Sequence, residues 1–458
     1  MKTIILNLAL LGGLEFALFA GETPHSEARG LVAHEWGTFT SVQGADGMLL
    51  DWQPLETSKL PKFVYNWQNP GLNRRPAGIP GFGKSVFLTL QRMETPVIYF
   101  YSDRKQSVDV SVKFPQGLIT EWYPQVTRIG PSSVPVPATA ALFDNYAQRT
   151  GVNPGFTLAS LFSSAALTNS EARWRHVTIL PNPGDKVALA TDSSGSHYFA
   201  ARETDAACLK VEPLERTNSL PDFEKFLFYR GVGNFATPLR VTIDSDDNKP
   251  PGETITLANT GAEQIKHLFV LRVESGKGQF SRLRQLRPGG KSSIQIESRE
   301  TLVPLEELSR KLGEQVVTSL CSEGLYRREA KAMVKTWEDS WFAEDGVRVL
   351  YILPRDWTDQ TLPLSIQPAP KELVRVMVGR AEVLTPALEK TLADEVTKTG
   401  NNNREAREHL SAELKKLGRF AQPALSLATR GTNPAASQAA WGLFEATANP
   451  KNANNRFE

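Results

Sequence analysis

The segment Val108-Asp109-Val110-Ser111-Val112-Lys113-Phe114 alternates apolar and polar residues without a break. Neighbouring side chains of a strand point to opposite faces, so this period turns Val108, Val110, Val112 and Phe114 inward and leaves Asp109, Ser111 and Lys113 in water. Pro115 and Gly117 end the run. An apolar stretch at 97–101 and a polar one at 102–107 precede it, which predicts a β-hairpin. Strand-like runs recur at 34–41, 196–203, 225–230 and 239–243. Antiparallel strands with one polar face need a second layer over the apolar face. The expected fold is therefore mainly β, built from antiparallel sandwich units. Thirty prolines and thirty-three glycines in 458 residues supply the turns that many strands require.

A second β unit is expected from about 237 to 380. Residues 254–257 lead to the turn Asn259-Thr260-Gly261, residues 267–273 are nearly all apolar, and Arg287-Pro288-Gly289-Gly290 turns the chain into 293–296. That spacing suits an immunoglobulin-like sandwich, with 347–353 and 373–378 completing it. Inside this unit Leu305, Leu308, Leu312, Val316 and Leu320 recur at helical spacing, Gly324 interrupts, and Tyr326, Ala330, Met333, Trp337 and Trp341 mark a second stripe. Residues 304–343 are thus expected to form a helical hairpin insert. The first β unit, 30–236, also holds short helical pieces at 139–166. From 381 to 448 a helical C-terminal cap is expected. Its stripes are Leu384, Leu388, Leu392, Val396 and then Ala406, Leu410, Leu414, Leu417, with further helix starts at Pro423 and Pro434. These short helices resemble HEAT-type repeats, too few for a free-standing solenoid.

Residues 1–20 read as a signal peptide. Lys2 starts a mostly apolar run that ends in the small residue Ala20. Glu15 and the shortness of the run disfavour a membrane anchor, and no later segment is apolar enough to span a bilayer. The mature chain is expected to be periplasmic or secreted, with no stable membrane span once the signal is cleaved. A net charge of +2 gives no field that would recruit nucleic acid. Export also removes the chain from cytoplasmic nucleotides. Residues 78–85 match a phosphate-cradling loop by letter but lack the strand before and the helix after that such a loop needs, so they read as a turn. No cofactor is expected. Cys208 and Cys321 are compatible with one disulfide or with two buried thiols.

Four side chains are candidates for acid/base chemistry. His34 lies in His34-Glu35-Trp36-Gly37-Thr38, where a strand would send His34 and Glu35 to opposite faces. His197 lies in Ser196-His197-Tyr198-Phe199. Glu94 and Glu121 sit beside aromatic residues, and two carboxylates held about 5–9.5 Å apart suit glycosidic hydrolysis. Pairing with Arg92 or Arg128 is the plainer reading of those two glutamates. Trp36 and Trp122 are candidate stacking surfaces for a ligand, although large aromatics commonly fill cores. No His, Cys or carboxylate spacing matches a metal site.

The segments 34–40, 92–101, 117–124, 196–203 and 336–342 resemble those of a family of exported bacterial proteins with a His-Glu-Trp-Gly-Thr-Phe-Thr segment. That resemblance implies an exported multidomain protein and carries no activity with it. The function expected from the sequence is binding or scaffolding at the envelope, with a glycan or an envelope protein as partner. The alternative is a secreted hydrolase of envelope or environmental polymers using His34, His197, Glu94 and Glu121. A metal-binding envelope protein is a third reading.

Overall fold

A computed structural model describes residues 30–52, 60–66, 89–130, 169–182, 187–213, 220–244, 253–296 and 302–399, with a few isolated positions besides. Its spine is a sheet of eleven strands. The middle is made by β20 (Glu372–Val383), β1 (Val32–Gln43), β4 (Gln91–Tyr101), β11 (Leu227–Gly233) and β6 (Gly117–Tyr123). Beyond β20 lie β18 (Gly346–Ile352), β14 (Ile265–Glu274), β15 (Lys277–Leu286) and β17 (Val303–Pro304). β3 (Tyr65–Asn66) closes the other edge, and β2 (Leu49–Leu50) pairs with the end of β1. Among the described strands every pairing is antiparallel except β1 with β20, which run parallel from Val32 beside Glu372 to Gln43 beside Val383.

Two smaller sheets cover one face of this spine. One holds β5 (Gln106–Phe114), β7 (Arg128–Gly130), β8 (Ser170–Leu180), β9 (Cys208–Val211), β10 (Asp222–Glu224) and β19 (Leu364–Gln367). The other holds β12 (Leu239–Asp244), β13 (Glu253–Asn259) and β16 (Lys291–Ile296). Their inward residues share one apolar core with the spine, including Val110, Trp174, Ile255, Ile98, Phe39 and Val349. The opposite face is covered by α1 (Leu305–Ser322), α2 (Arg327–Glu338), a π-helical turn at Asp339–Ala343 and a 3-10 helix at His197–Arg202. These elements bury Trp36, Val97, Tyr99, Val376 and Val378 against Leu312, Met333, Trp337 and Trp341. Two short helices complete the described chain, α3 (Arg355–Thr361) and α4 (Pro386–Thr399). The molecule is thus mainly β, with large mixed sheets and few helices.

The hairpin expected across 97–114 does not form. β4 pairs with β1 and β11, whereas β5 leaves for the other layer and pairs with β8 and β19. β4 is buried on both faces, so it belongs in the middle of a covered sheet, while the alternating β5 suits an outer layer with one wet face. Residues 196–203 are also not a strand. The Ser196 hydroxyl accepts the Tyr198 amide at 3.2 Å and starts the 3-10 helix. The expected boundary at 236/237 falls within a molecule whose eleven-stranded sheet draws strands from both sides of it.

The HEAT-like reading of the C-terminal part is overturned. The described chain there offers one helix, α4, where such repeats need stacked pairs that bury each other. α4 instead docks on the loop after β1, with the Glu389 carboxylate accepting the Ala45 amide at 2.7 Å. The expected leader at 1–20, the loop at 78–85, the helical pieces at 139–166 and the helices beyond 400 lie outside the described residues. No described helix is long and apolar enough to cross a membrane. Cys208 in β9 and Cys321 in α1 are both free thiols.

Candidate functional site

The helix-covered face of the spine carries a band of charge across its middle strands. Register places Thr38 of β1 beside Glu94 of β4, and Thr40 between Arg92 of β4 and Arg380 of β20. Farther along, Arg230 of β11 lies opposite Glu121 of β6, and Arg348 of β18 lies opposite Glu382 of β20. All of these side chains are almost fully buried.

A line of irregularities runs through the same level. The β1–β4 register shifts between Trp36 and Thr38, the β4–β11 register between Phe228 and Gly231, and the β6–β11 register between Arg230 and Gly231. Thr95 takes φ +46°, a left-handed conformation that costs a β-branched residue about 1–3 kcal/mol. Gly37 permits the close approach of β4 there, since a Cβ at that position would come within 2.9 Å of the Pro96 Cα. Bulges re-aim side chains. Here they turn Glu94, Arg230 and Glu121 onto the face that the helices cover.

The charges are paired. Arg230 grips Glu121 with two hydrogen bonds, Nη2 to Oε1 at 2.7 Å and Nε to Oε2 at 3.0 Å. The Thr120 hydroxyl donates to the same carboxylate. Arg92 Nε lies 3.1 Å from Glu94 Oε1. Arg380 donates to Glu382 at 2.6 Å and to Glu344 at 2.9 Å, and Arg348 joins Glu382 at 3.2 Å. Burial pulls the Arg92 guanidinium down to about 10, with Glu94 opposing and Arg230 and Arg380 adding to the fall. For Arg380 burial acts the same way, but Glu382, Glu94 and Glu344 more than offset it and hold its pKa above the ordinary value.

His197 reaches this band from the 3-10 helix. Its ring lies 5.0 Å from that of Trp337, which is followed by Trp341 at 6.5 Å in a stacked pair. Desolvation lowers the His197 pKa below its usual 6.5. The Glu94 carboxylate opposes that fall, and the guanidiniums of Arg92 and Arg230 assist it. The imidazole is therefore neutral at neutral pH. Arg202 fixes the 3-10 helix by a fork on the buried Glu224, Nη2 to Oε2 at 2.7 Å and Nε to Oε1 at 2.9 Å. The Tyr198 hydroxyl adds a bond to Glu224 at 2.9 Å.

Three of the four sequence candidates, His197, Glu94 and Glu121, thus belong to one electrostatic neighbourhood. His34 does not. Its Nδ1 lies 2.8 Å from Glu329 Oε2 at the start of α2, and that carboxylate also accepts the Tyr326 amide and the Tyr101 hydroxyl. Glu35 points to the opposite face of the sheet, where it accepts from Tyr229 and from Arg375, both at 2.5 Å. Trp36 and Trp122 are fully buried, Trp36 under the helices and Trp122 under the smaller sheets, so neither offers a face for a ligand to stack on. Arg230, Arg348, Arg380, Thr38 and Thr40 were not among the sequence candidates. The signal that marks them is a charged or hydroxyl residue at every second position, as in Arg92/Glu94 and Arg380/Glu382, inside strands otherwise buried on both faces. Among the described residues no three His, Cys or carboxylate side chains converge as a metal-holding group.

No protein-family model matches the chain, and no curated protein does. The resemblance to an exported bacterial family is accordingly withdrawn. Among solved structures, the yeast delta-COP-I mu-homology domain aligns over 78% of this chain and 98% of its own length, at 7% identity and a TM-score of 0.26. The same domain complexed with the Dsl1 WxWxV peptide gives the same figures. An overlap that loose carries no inference about fold or activity.

Proposed function

We propose that the chain is an exported binding or scaffolding protein of the cell envelope, periplasmic or secreted. The observation that carries this reading is the condition of the candidate acids. Glu121 is clamped by Arg230, Glu94 faces Arg92, and His34 is tied to Glu329. A general acid or base has to reach the proton it moves, and these groups are buried and held by fixed partners. With Trp36 and Trp122 in the core, a protein or small-molecule partner fits better than a glycan stacked on tryptophan. The leader-like residues 1–20 supply the compartment.

The test is sedimentation of purified residues 21–458 with isolated envelope fragments. The expected result is saturable association with no soluble product released. Product release that disappears in Glu94→Gln would replace binding with hydrolysis. That second reading has one observation in its favour: a neutral His197 near a Glu94 whose Oε2 has no hydrogen-bond partner.

A further inference from the structure

Burying a carboxylate is costly unless a cation accompanies it, and the sheets mostly obey that rule. Glu121 holds Arg230, Glu94 holds Arg92, Glu35 holds Arg375 and Glu224 holds Arg202. Asp222 is an exception. It opens β10, two residues before Glu224, and among the described strands β10 pairs with β9 alone at the outer edge of its sheet. Asp222 Oδ2 accepts the Gln125 amide at 2.9 Å and the Tyr65 hydroxyl at 3.2 Å, both neutral donors. Its Oδ1 takes no hydrogen bond and, unlike the orphaned atoms of the core, stays open to water on a half-exposed residue. Burial raises the Asp222 pKa. Hydrogen bonds from Gln125, Tyr65 and Tyr123 oppose the rise, and no cation among the described residues does.

The neighbouring rings already hold one guanidinium. Arg202 forks Glu224 at 2.7 and 2.9 Å while its Cζ lies 5.0 Å from the Phe199 centroid, 5.6 Å from Tyr198 and 5.8 Å from Phe63. A flat guanidinium can lie on rings while its N–H groups reach a carboxylate. The aromatic row continues from Phe63 to Tyr123 at 4.8 Å, and Tyr123 stacks with Tyr65 at 6.0 Å. Asp222, at the Tyr65 end, repeats the carboxylate beside rings and lacks the guanidinium. Tyr65 belongs to β3, the outer strand of the spine, so its bond to Asp222 ties the edges of two sheets into a corner. Phe63 and Tyr65 are half-buried there, and Leu220, two residues before Asp222, is 86% exposed.

We propose that this corner docks an arginine side chain of a protein partner, with Asp222 as the counter-charge and Tyr65 and Leu220 as apolar contacts. Charge complementarity sets the residue type. An acid without a cation calls for one, and the rings favour a flat guanidinium over a compact, strongly hydrated ammonium. The corner is a surface, so the arginine arrives on a polypeptide that makes further contacts around it. A free small cation would have little else to hold. This assignment rests on the reading of the chain as a binding protein and names the chemistry of its partner at one place.

The test is fluorescence anisotropy of the full mature chain at fixed ionic strength with three labelled peptides of sequence Gly-Leu-X-Leu-Gly. X is arginine, its uncharged isostere citrulline, or lysine. Saturable binding of the arginine peptide is expected, with citrulline weaker by about tenfold and lysine in between. Asp222→Asn keeps an acceptor for Tyr65 and Gln125 and removes the charge, so it should keep the Tm and lose about tenfold in affinity for the arginine peptide. If that variant unfolds, Leu220→Lys serves instead. It changes an exposed side chain, sets a like charge within about 7 Å of Asp222 along the backbone, and should also weaken the arginine peptide. No binding of that peptide, equal binding of arginine and citrulline, or unchanged affinity in the folded variants would overturn the site. Calcium chloride raising the Tm of the parent and not of Asp222→Asn, without a peptide contrast, would give the corner to a metal ion. Self-association lost in Asp222→Asn, again without a peptide contrast, would give it to a second copy of this chain. Envelope sedimentation is read separately, so a failed peptide contrast with sedimentation intact removes this site alone.

Discussion

At the scale of single residues, the glutamates under the helices act as counter-charges. Removing one partner of a buried ion pair strands the other, which costs about 3–5 kcal/mol. Glu121→Ala should therefore lower the denaturant midpoint by that equivalent, and Glu121→Leu combined with Arg230→Met should recover most of it. A single variant as stable as the parent would show that the pair is not a buried one in solution. His197 gives a pH-dependent prediction. Burial holds its folded pKa below 6.5, so between that pKa and 6.5 the unfolded chain binds more protons than the folded chain. Stability then rises with pH through that window and is lost on acidification. His197→Asn should flatten the Tm profile between about pH 7 and about pH 5, with His267, which burial also lowers, supplying the remaining slope. Parallel profiles for variant and parent would remove His197 from this linkage. Glu94, Glu121 and His197 were legible in the sequence as unusual polar residues among aromatics, but their partners were not. Arg230 meets Glu121 across 109 residues of chain, and no local pattern encodes that pairing.

At the scale of elements, local periodicity was informative and pairing was not. The leucine stripe from Leu305 to Leu320 is α1, and the alternation from Val108 to Phe114 is β5. The partner of β5 depends on which layer has room for a strand with one wet face, a property of the whole sheet. The 3-10 helix at His197–Arg202 was misread because its aromatic run mimics a strand. Its capping serine and the Arg202 fork on Glu224 decide the matter. The start of α2 depends on Glu329, which accepts from the Tyr326 amide, Tyr101 and His34. Glu329→Ala leaves those three donors without their acceptor. A loss of about 3 kcal/mol and faster amide exchange in the first turn of α2 are expected. Unchanged exchange there would mean that packing alone, without the carboxylate, holds the helix start.

At the scale of the whole molecule, the eleven-stranded sheet joins early and late parts of the chain. β1 lies between β4 and β20, and β20 is the last described strand. Composition and turn content made a mainly β architecture legible. The parallel β1–β20 pair was not, because a parallel contact leaves no turn between its strands. A fragment of residues 30–236 keeps β1, β4, β6 and β11 but lacks β20 and both α-helices over the sheet. It should show no cooperative unfolding transition and should bind a dye specific for exposed apolar surface. A sharp calorimetric transition from that fragment would show that the first unit is self-sufficient.

Val32 and Glu372 are neighbours in space and roughly 340 residues apart in sequence. At a ribosomal rate of about 5–20 residues per second, β1 waits roughly 20–70 s for its mate to be synthesised. For that interval a twelve-residue strand destined for the interior has one unzipped margin. The margin stays open until β20 is made, because β20 is the strand that closes it.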